Sequence, residues 1–203
     1  METLLVISYS YLSGSIPFGL ILTKILIKKD IRKIGSGNIG ATNVLRTGNK
    51  FIAAITLIMD IAKGFVPVLI SQLYFPDLIQ ISALLAFLGH LFPIWLNFRG
   101  GKGVATYLGI LLSFSYGLGI LFIFTWITVS LIFKYSSLSS MFASLTVFVI
   151  TFFRESFLNN LEPNLNNGAN IQFLFFIFLI LIIFTHKKNI INLKNKKEKK
   201  IKI

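Results

Sequence analysis

Long apolar runs alternate with short polar segments along the 203 residues of the chain. A helix that crosses a membrane needs about 20 apolar residues. Runs of about this length cover residues 3–23, 51–75 and 78–94, and two shorter runs cover residues 138–153 and 170–185. The pattern therefore predicts an all-α integral membrane protein, and Pro17 permits a kink in the first span.

Residues 104–133 carry no charge over 30 positions, which is long for one span and short for two. Gly117 and Gly119 lie near the centre of this stretch, and glycines favour a tight turn between two short helices. Length alone leaves the total at six or seven spans. Residues 154–169 are expected to form a polar, Asn-rich loop before the last span.

The positions of the cations choose between these counts, because Lys and Arg collect in cytoplasmic segments. Seven spans with the N-terminus outside place 18 of the 20 Lys and Arg residues on the cytoplasmic side. Six spans would send the lysine-rich C-terminus outside, against this bias. We therefore predict seven transmembrane helices, some short, within a single domain over residues 1–190. A basic cytoplasmic tail, residues 191–203, is expected to be solvated against anionic lipid.

Composition supports this class of protein and narrows its chemistry. Hydrophobic residues make up 55% of the chain and charged residues 13%, more apolar surface than a soluble domain of this size can bury. The absence of cysteine excludes disulfides and thiolate metal ligands. The net charge of +13 has two explanations: membrane topology, or binding of an anionic substrate or lipid headgroup.

The first polar loop runs from Gly35 to Arg46 and contains the pattern G-x-G-x-x-G. That pattern binds dinucleotides only within a βαβ unit, which this chain does not offer, so we reject the assignment. Backbone N–H groups, together with Ser36 and Asn43, could still donate to an anion, and Arg46 matches phosphate geometry. A Gly- and Asn-rich turn between two spans is the alternative.

The second polar stretch, Gly89 to Thr106, lies between two apolar runs. It fails the Walker A pattern because Lys102 is followed by Gly103. Free N–H groups at a helix entrance and the charge of Lys102 nevertheless predict an anion site. Arg99 could contribute to this site, but we expect it to be a topology-determining charge on the cytoplasmic side.

Three polar groups near these motifs have structural explanations. A lone histidine such as His90 is more often a structural hydrogen-bonding group than a base. Asp60 and Lys63 are three positions apart on one helical face, so we expect them to pair within the bilayer and to anchor the loops. The serines between Lys134 and Ser140 could cap a helix or donate to a phosphate.

These motifs, together with His186-x-x-Asn189-Ile190, resemble one family: the bacterial membrane glycerol-3-phosphate acyltransferases of the PlsY type, which use acyl phosphate. The resemblance covers almost the whole chain. The third motif departs from the family pattern, which continues through His-Arg and Arg-Leu to Gly-x-Glu. Here Lys187 follows His186, and we expect the arginine and the glutamate to be missing.

The resemblance implies acyl transfer from acyl phosphate to the 1-hydroxyl of glycerol 3-phosphate, giving lysophosphatidic acid in the first step of phospholipid synthesis. It places the site at the cytoplasmic face of the bacterial inner membrane, in contact with lipid, and implies no metal, cofactor or nucleic acid. The implied catalytic residues are Ser36, Arg46, Lys102 and His186. The implied substrate-binding residues are Gly37, Asn38, Asn43, His90, Gly100, Gly101, Gly103, Ser137, Ser140 and Asn189.

The proton acceptor is open at this stage. His186 and His90 are the side chains with a suitable ordinary pKa, and no carboxylate in the motifs orients either one. We expect positioning and electrostatics to dominate, with a substrate phosphate taking the proton. The alternative function is a transporter or channel for a small phosphate-bearing solute, although the motifs lie on one membrane face and no inverted repeat is visible.

Overall fold

The computed structural model describes residues 1–153 and 171–201, so the predicted loop at 154–169 and the last two residues lie outside it. The described residues are helical, with short turns and no strand among them. The chain forms two compact units, Met1–Ser113 and Phe114–Ile203.

A broken span opens the first unit, and the break lies at Pro17, which permits a kink. Helix α1 covers Glu2–Ser15 and helix α2 covers Phe18–Ile27, with a bend of 40° between them. Proline has no N–H and cannot continue the helical hydrogen bonds. The break leaves the carbonyl of Ile16 to accept a hydrogen bond from Lys63 Nζ at 2.7 Å.

Four more helices follow along the chain: α3 (Ala41–Val44), α4 (Lys50–Tyr74), α5 (Ile79–Leu91) and α6 (Val104–Phe114). Asn49 begins α4 by accepting the N–H of Ile52 through its side chain. The predicted spans at 51–75 and 78–94 are confirmed as helical, and the predicted turn after α4 is a 3₁₀ turn at Pro76–Leu78.

Helices α1 and α5 pack backbone against backbone. A Cβ added to Gly14 would collide with the carbonyl of Ala86, and one added to Gly89 would collide with the carbonyl of Tyr11. Small residues permit this close approach between membrane helices. Beside this crossing, the hydroxyls of Ser10 and Ser82 are 2.9 Å apart and buried.

The second unit contains the helices α7 (Tyr116–Phe133), α8 (Ser136–Phe152), α9 (Ile171–Thr185) and α10 (Lys187–Lys194). Phenylalanines join α8 to α9, for example Phe148 and Phe176 with ring centroids 5.6 Å apart. The two helices predicted within residues 104–133 are confirmed. The break lies at Ser115, whose hydroxyl accepts the N–H of Leu118, and not at the glycines.

Within residues 1–153 and 171–201, three helical segments are long and apolar enough to cross a membrane, or up to five when each bent pair is one span. Two shorter apolar helices, α6 and α8, have 11 and 17 residues. At about 1.5 Å per residue, α6 extends only about 16 Å, roughly half of a bilayer core. The count of seven spans therefore stays a prediction.

The described part of the predicted tail is partly ordered and mostly exposed, and its contact with lipid stays a prediction. Helix α10 continues to Lys194, across the expected boundary after residue 190. The N–H of Ile201 donates to the carbonyl of Lys134 at 2.8 Å, and the carboxylate of Glu198 accepts from Ser137. The tail is thus tied to the beginning of α8.

Candidate active site

The first loop, residues 35–46, is organised around the buried side chain of Asn43. The two hydrogens of its amide nitrogen are shared among the carbonyls of Ile31, Ile34 and Asn38, at 2.8–3.1 Å. Its amide oxygen accepts the N–H of Ser36 at 2.9 Å. Asn43 therefore satisfies four backbone groups of a segment that has little regular secondary structure.

Apolar residues hold the first loop against the helices beneath it. Ile39 and Val44 are buried with Leu20 of α2 and Ile52 of α4 in one cluster. Gly19 permits the approach, since a Cβ on it would collide with the carbonyl of Ile39. The loop is therefore a fixed part of the first unit.

Arg46 and Ser36 are exposed on this framework. Gly35 adopts a φ of 59°, and a Cβ on it would meet the side chains of Asn43 and Arg46. The guanidinium stem thus lies directly over a glycine in the left-handed conformation, where other residues would be strained. This arrangement presents one planar cation and one hydroxyl at the surface, a pair suited to a phosphate group.

Most backbone donors of the first loop are already engaged, contrary to expectation. The N–H of Gly37 donates to Ile34, that of Asn38 to the Ser36 hydroxyl and that of Gly40 to the Asn38 side chain. Asn43, expected to donate to a substrate, spends its amide on the backbone. An anion at this loop would therefore be bound by the side chains of Arg46 and Ser36. The substrate contacts predicted for Gly37, Asn38 and Asn43 stay predictions, and the donors named here are already used within the loop.

The second loop, residues 92–103, folds back on the end of α5. The N–H of Gly100 donates to the carbonyl of Leu91 and the N–H of Gly101 donates to the carbonyl of His90, at 3.0 and 3.1 Å. The expectation of free N–H groups at these two glycines is therefore wrong. Their small size is what the structure uses, because a Cβ on Gly101 would collide with the His90 ring.

Two side-chain contacts fix this loop to α1. Tyr11 donates to the carbonyl of Phe92 at 2.7 Å, and the Trp95 indole donates to the hydroxyl of Ser15 at 2.8 Å. At the tip, Asn97 and Phe98 both adopt positive φ angles, 50° and 60°. A bulky aromatic residue in this conformation is uncommon, so the surrounding hydrogen bonds must hold it there.

Lys102 emerges from the second loop immediately before α6. Gly103 follows with a φ of 79° and packs against the ring of Phe87, which leaves no space for a side chain. The first N–H groups of any helix lack acceptors within it, and the helix dipole makes that end positive. The anion site at Lys102 and the entrance of α6 stays a prediction.

His90 is buried, at 4% exposure. Its Nδ1 lies 3.1 Å from the hydroxyl of Thr106 and 3.9 Å from Asp60 Oδ1. The predicted pairing of Asp60 with Lys63 is confirmed, with Nζ 2.8 Å from the carboxylate. A residue that holds the second loop in place is expected to be buried, as His90 is. The predicted contact of His90 with substrate stays a prediction, because little of the side chain is exposed.

In the second unit, the serine cluster is largely occupied by protein partners. Ser137 donates to Glu198 Oε1 at 3.0 Å. Ser140 donates to the carbonyl of Ser136 and accepts the indole N–H of Trp126. Donation from Ser140 to a phosphate would thus require it to leave the carbonyl of Ser136.

His186 is also buried, at 2% exposure, at the junction of α9 and α10. Its Nδ1 lies 2.8 Å from the carbonyl of Ile182. A carbonyl only accepts, so Nδ1 carries the hydrogen and Nε2 is the accepting nitrogen of the neutral ring. The backbone thus fixes a tautomer suited to a proton acceptor.

Glu198 is the residue that the sequence reading missed. One oxygen of its carboxylate accepts from Ser137 and, at 2.6 Å, from the side-chain amide of Asn189. Lys196, two residues earlier, adopts a φ of 55°, the conformation that glycine favours. The segment Lys196-Lys197-Glu198 therefore stands in the place of Gly-x-Glu in the third motif. The glutamate is present, and a lysine replaces the glycine.

A short turn precedes the first loop and carries an exposed ion pair. Arg32 donates two side-chain hydrogen bonds to the carboxylate of Asp30, the shorter at 2.7 Å, and Asp30 also accepts the N–H of Arg32. The Arg32 hydrogen bonds hold the pKa of Asp30 well below its usual range. The pair stabilises the 3₁₀ turn Ile31–Lys33, from which Asn43 takes one of its acceptors.

Comparison with known proteins identifies the family of the chain. Residues 4–196 match the glycerol-3-phosphate acyltransferase family. The chain is 54% identical over its full length and that of its relative, a glycerol-3-phosphate acyltransferase of Pelagibacter ubique. It is 47% identical to the enzyme of the same description from Brucella anthropi, over 95% of this chain and 90% of the relative.

Two crystal structures of PlsY, an integral membrane glycerol 3-phosphate acyltransferase, have the same fold. The glycerol 3-phosphate form matches with a TM-score of 0.89 and 32% identity, over 100% of this chain and 96% of that one. The lysophosphatidic acid form matches with a TM-score of 0.86 and 31% identity, over the same shares. The chain therefore belongs to the family of integral membrane glycerol-3-phosphate acyltransferases.

Proposed function

We propose that this protein transfers a fatty acyl group from acyl phosphate to the 1-hydroxyl of glycerol 3-phosphate, forming lysophosphatidic acid and releasing phosphate. The observation that supports it best is the pair of cations in the first unit, Arg46 on the first loop and Lys102 at the entrance of α6. Each substrate carries a phosphate, and an all-helical membrane chain offers apolar surface for the acyl chain.

Arg46 and Ser36 are assigned to the phosphate of glycerol 3-phosphate. The guanidinium offers paired N–H donors to phosphate oxygens, which a lysine cannot match. Both residues are exposed beside Gly35, and Asn43 holds the loop that carries them. They would fix the acceptor by its charged end and leave its hydroxyl to react.

Lys102 is assigned to the acyl phosphate. Negative charge develops on the carbonyl oxygen during attack and on the phosphate as it leaves. A fixed ammonium at the positive end of α6 would stabilise that charge more in the transition state than in the ground state. The 11 residues of α6 are enough for the dipole of its N-terminus to contribute.

The chemical step forms one bond and breaks one. The 1-hydroxyl oxygen attacks the acyl carbonyl carbon, and the carbon–oxygen bond to phosphate breaks, with its electron pair leaving on the phosphate. The hydroxyl proton goes to a phosphate oxygen, so that inorganic phosphate departs protonated. Substrate-assisted transfer of this kind needs no side-chain base; His186 is the alternative proton acceptor, through Nε2.

We further propose that Asn189 and Ser137 bind substrate in the second unit, with Glu198 orienting them. A carboxylate that accepts from both side chains fixes their rotamers, and side chains that are already fixed lose less entropy when a ligand binds. Because Ser137 gives its one hydroxyl hydrogen to Glu198, it would contact the substrate as an acceptor. We also retain seven spans with the N-terminus outside and the C-terminus and the active site on the cytoplasmic face of the bacterial inner membrane. The charge distribution supports this orientation.

The deciding experiment uses the purified full chain in lipid vesicles with radiolabelled glycerol 3-phosphate. Acyl phosphate should yield labelled lysophosphatidic acid, while acyl-CoA and acyl carrier protein should not. The Lys102→Ala variant should lose almost all activity, and Arg99→Ala, an exposed cation three positions earlier, should retain it. Turnover with acyl-CoA at the same rate would overturn the proposed donor.

The proton route has a test of its own. His186→Ala should retain measurable turnover at saturating substrate if phosphate accepts the proton, whereas a general base contributes typically 10²–10⁴-fold. Complete loss of kcat, with glycerol 3-phosphate binding intact, would assign the proton to His186 instead.

A further inference from the structure

A buried charged cluster in the first unit is not used by the proposed chemistry. Asp60 and Lys63 of α4 are 2% and 4% exposed, and His90 at the end of α5 lies 3.9 Å from the Asp60 carboxylate. Charges within a membrane protein are costly, and an apolar pair of similar volume is often as stable or more so. Stability alone therefore does not explain why these charged residues are present.

Two contacts of this cluster connect it to the second loop, and Lys63 Nζ also lies 5.8 Å from the centre of the Phe18 ring of α2. Lys63 Nζ binds the carbonyl of Ile16 at 2.7 Å, next to Ser15, whose hydroxyl accepts from Trp95 of the loop. Asp60 faces His90, the ring of which touches Gly101 at the other end of the loop. The Asp60–Lys63 pair therefore contacts the two groups that hold the second loop: the segment Ser15-Ile16, which binds Trp95, and His90, which contacts Gly101.

His90 carries this connection to the residue before Lys102. Its carbonyl accepts the N–H of Gly101 at 3.1 Å, and its Nδ1 lies 3.1 Å from the Thr106 hydroxyl in the first turn of α6. A Cβ on Gly64 of α4 would collide with the carbonyl of Thr106, so α4 also contacts this turn directly. The residues on either side of Lys102, Gly101 and Thr106, are therefore both in contact with His90.

We propose that the Asp60–Lys63 pair is a positioning device for Lys102, acting through His90 and Thr106. The proposal rests on the proposed function, in which Lys102 contacts the acyl donor. The pair itself does not touch substrate. It sets where the ammonium and the entrance of α6 lie, and an error of about 1 Å in such a position can lower the rate about 100-fold.

The test separates positioning from stability. Asp60→Leu and Lys63→Met should each destabilise the protein, because each leaves an uncompensated buried charge. The double variant removes both charges and should recover the thermal unfolding midpoint. If the pair positions Lys102, kcat of the double variant should remain about 10- to 100-fold below wild type, with KM for glycerol 3-phosphate unchanged. Recovery of kcat together with the midpoint would overturn the proposal.

A second variant keeps the question open to test if the double variant fails to fold. Thr106→Val removes the hydroxyl that contacts His90 and keeps the shape of the side chain. It should lower kcat about 10-fold, whereas Thr106→Ser, which keeps the hydroxyl, should restore most of it. Wild-type kcat in a folded Thr106→Val protein would overturn the proposal. Ser10→Ala with Ser82→Ala, another buried polar pair of this unit, is the control and should leave kcat unchanged.

Trp95 gives a measurement independent of turnover, since Trp126 is the other tryptophan of the chain. In a Trp126→Phe parent, the Trp95 emission maximum should shift when Thr106→Val or the double substitution is added, and should not shift for the serine control. If the wild-type protein does not use acyl phosphate, the proposed function is rejected, but the Trp95 emission still reports whether the pair sets the position of the second loop. Unchanged emission in both variants would overturn the proposal.

Discussion

In both the first loop and the cluster around Glu198, one polar side chain holds several other groups in place, but the sequence separation of those groups differs. Asn43 satisfies backbone groups at most 12 residues away in the sequence. Glu198 joins Asn189, nine residues away, to Ser137, 61 residues away. The first loop is thus organised by its own segment, and the Glu198 cluster only after the chain has returned to the beginning of α8.

The difference shows what each polar residue is able to do. In the first loop the buried amide does the structural work, so Arg46 remains exposed and available to an anion. In the Glu198 cluster the candidate binding groups themselves, Ser137 and Asn189, hold the structural contacts. A substitution in the first loop should therefore separate binding from folding more cleanly than one in the Glu198 cluster.

The largest effect is expected at Arg46. Arg46→Ala removes the exposed guanidinium without breaking a loop hydrogen bond seen in the structure, so activity should fall roughly 1,000-fold while the unfolding midpoint stays near wild type. Arg46→Lys keeps the charge and loses the planar fork, and should recover only part of the rate. Steady-state kinetics and thermal unfolding of the same preparations check both. A large drop in the midpoint would make Arg46 structural.

Asn43 should show the opposite separation. Asn43→Ala removes the side-chain partner of the Asn38 carbonyl and of the Ser36 N–H, and it leaves the carbonyls of Ile31 and Ile34 with their backbone partners only, which should cost about 3 kcal/mol in stability. Asn43→Asp keeps the acceptor for Ser36 but loses the donors and buries a charge, so it should be no better. Thermal unfolding in detergent measures the loss, and Asn38→Ala, which removes one acceptor for Gly40, should cost less. Equal effects of Asn38→Ala and Asn43→Ala would contradict this account of the loop.

Glu198 should fall between the two patterns. Glu198→Ala removes the shared acceptor of Ser137 and Asn189 and should lower both activity and stability, the latter by about 1–2 kcal/mol. Glu198→Gln keeps one accepting oxygen and should lose less than Glu198→Ala in both measurements. Lys199→Ala, an exposed neighbour in the tail, is the control. Full stability in Glu198→Ala would mean that the tail contact carries no energy.

The smallest effect is expected at the exposed pair of Asp30 and Arg32. Because the pKa of Asp30 is lowered in the folded protein, its contribution is fully present above the ordinary carboxyl pKa of about 3.9. It is lost as the pH falls below that value towards the lowered pKa. Asp30→Asn should remove this part of the acid dependence and cost at most about 1 kcal/mol at neutral pH, since the pair is solvent-screened. An identical acid unfolding curve for wild type and variant would contradict it.

The sequence predicted local features well and distant ones poorly. Span boundaries followed from uninterrupted apolar runs: α4 was expected at 51–75 and lies at Lys50–Tyr74. The pair of Asp60 and Lys63 followed from a spacing of three on one helix. In both cases the interaction is written within a few turns of a single helix, where geometry leaves few choices.

The engaged donors could not be predicted in the same way. Glycine-rich loops are read as offering N–H groups, but whether those groups are already used depends on where the chain folds next. The N–H of Gly101 returns to His90 because the second loop reverses at Asn97 and Phe98, which are not glycines yet adopt positive φ angles. The role of Glu198 was hidden among lysines. Its partners, Ser137 and Asn189, come together only in the folded chain.

The backbone crossing of α1 and α5 bears on how the chain is made. Ser10 meets Ser82 across 72 residues, so the first helix enters the bilayer long before its partner exists. At about 5–20 residues per second, synthesis of that interval takes roughly 4–14 s. During that time the glycine face of α1 borders lipid, or another protein, in place of α5. Assembly of the first unit therefore requires that no other group occupies the surface at Gly14 before α5 has been synthesised and inserted.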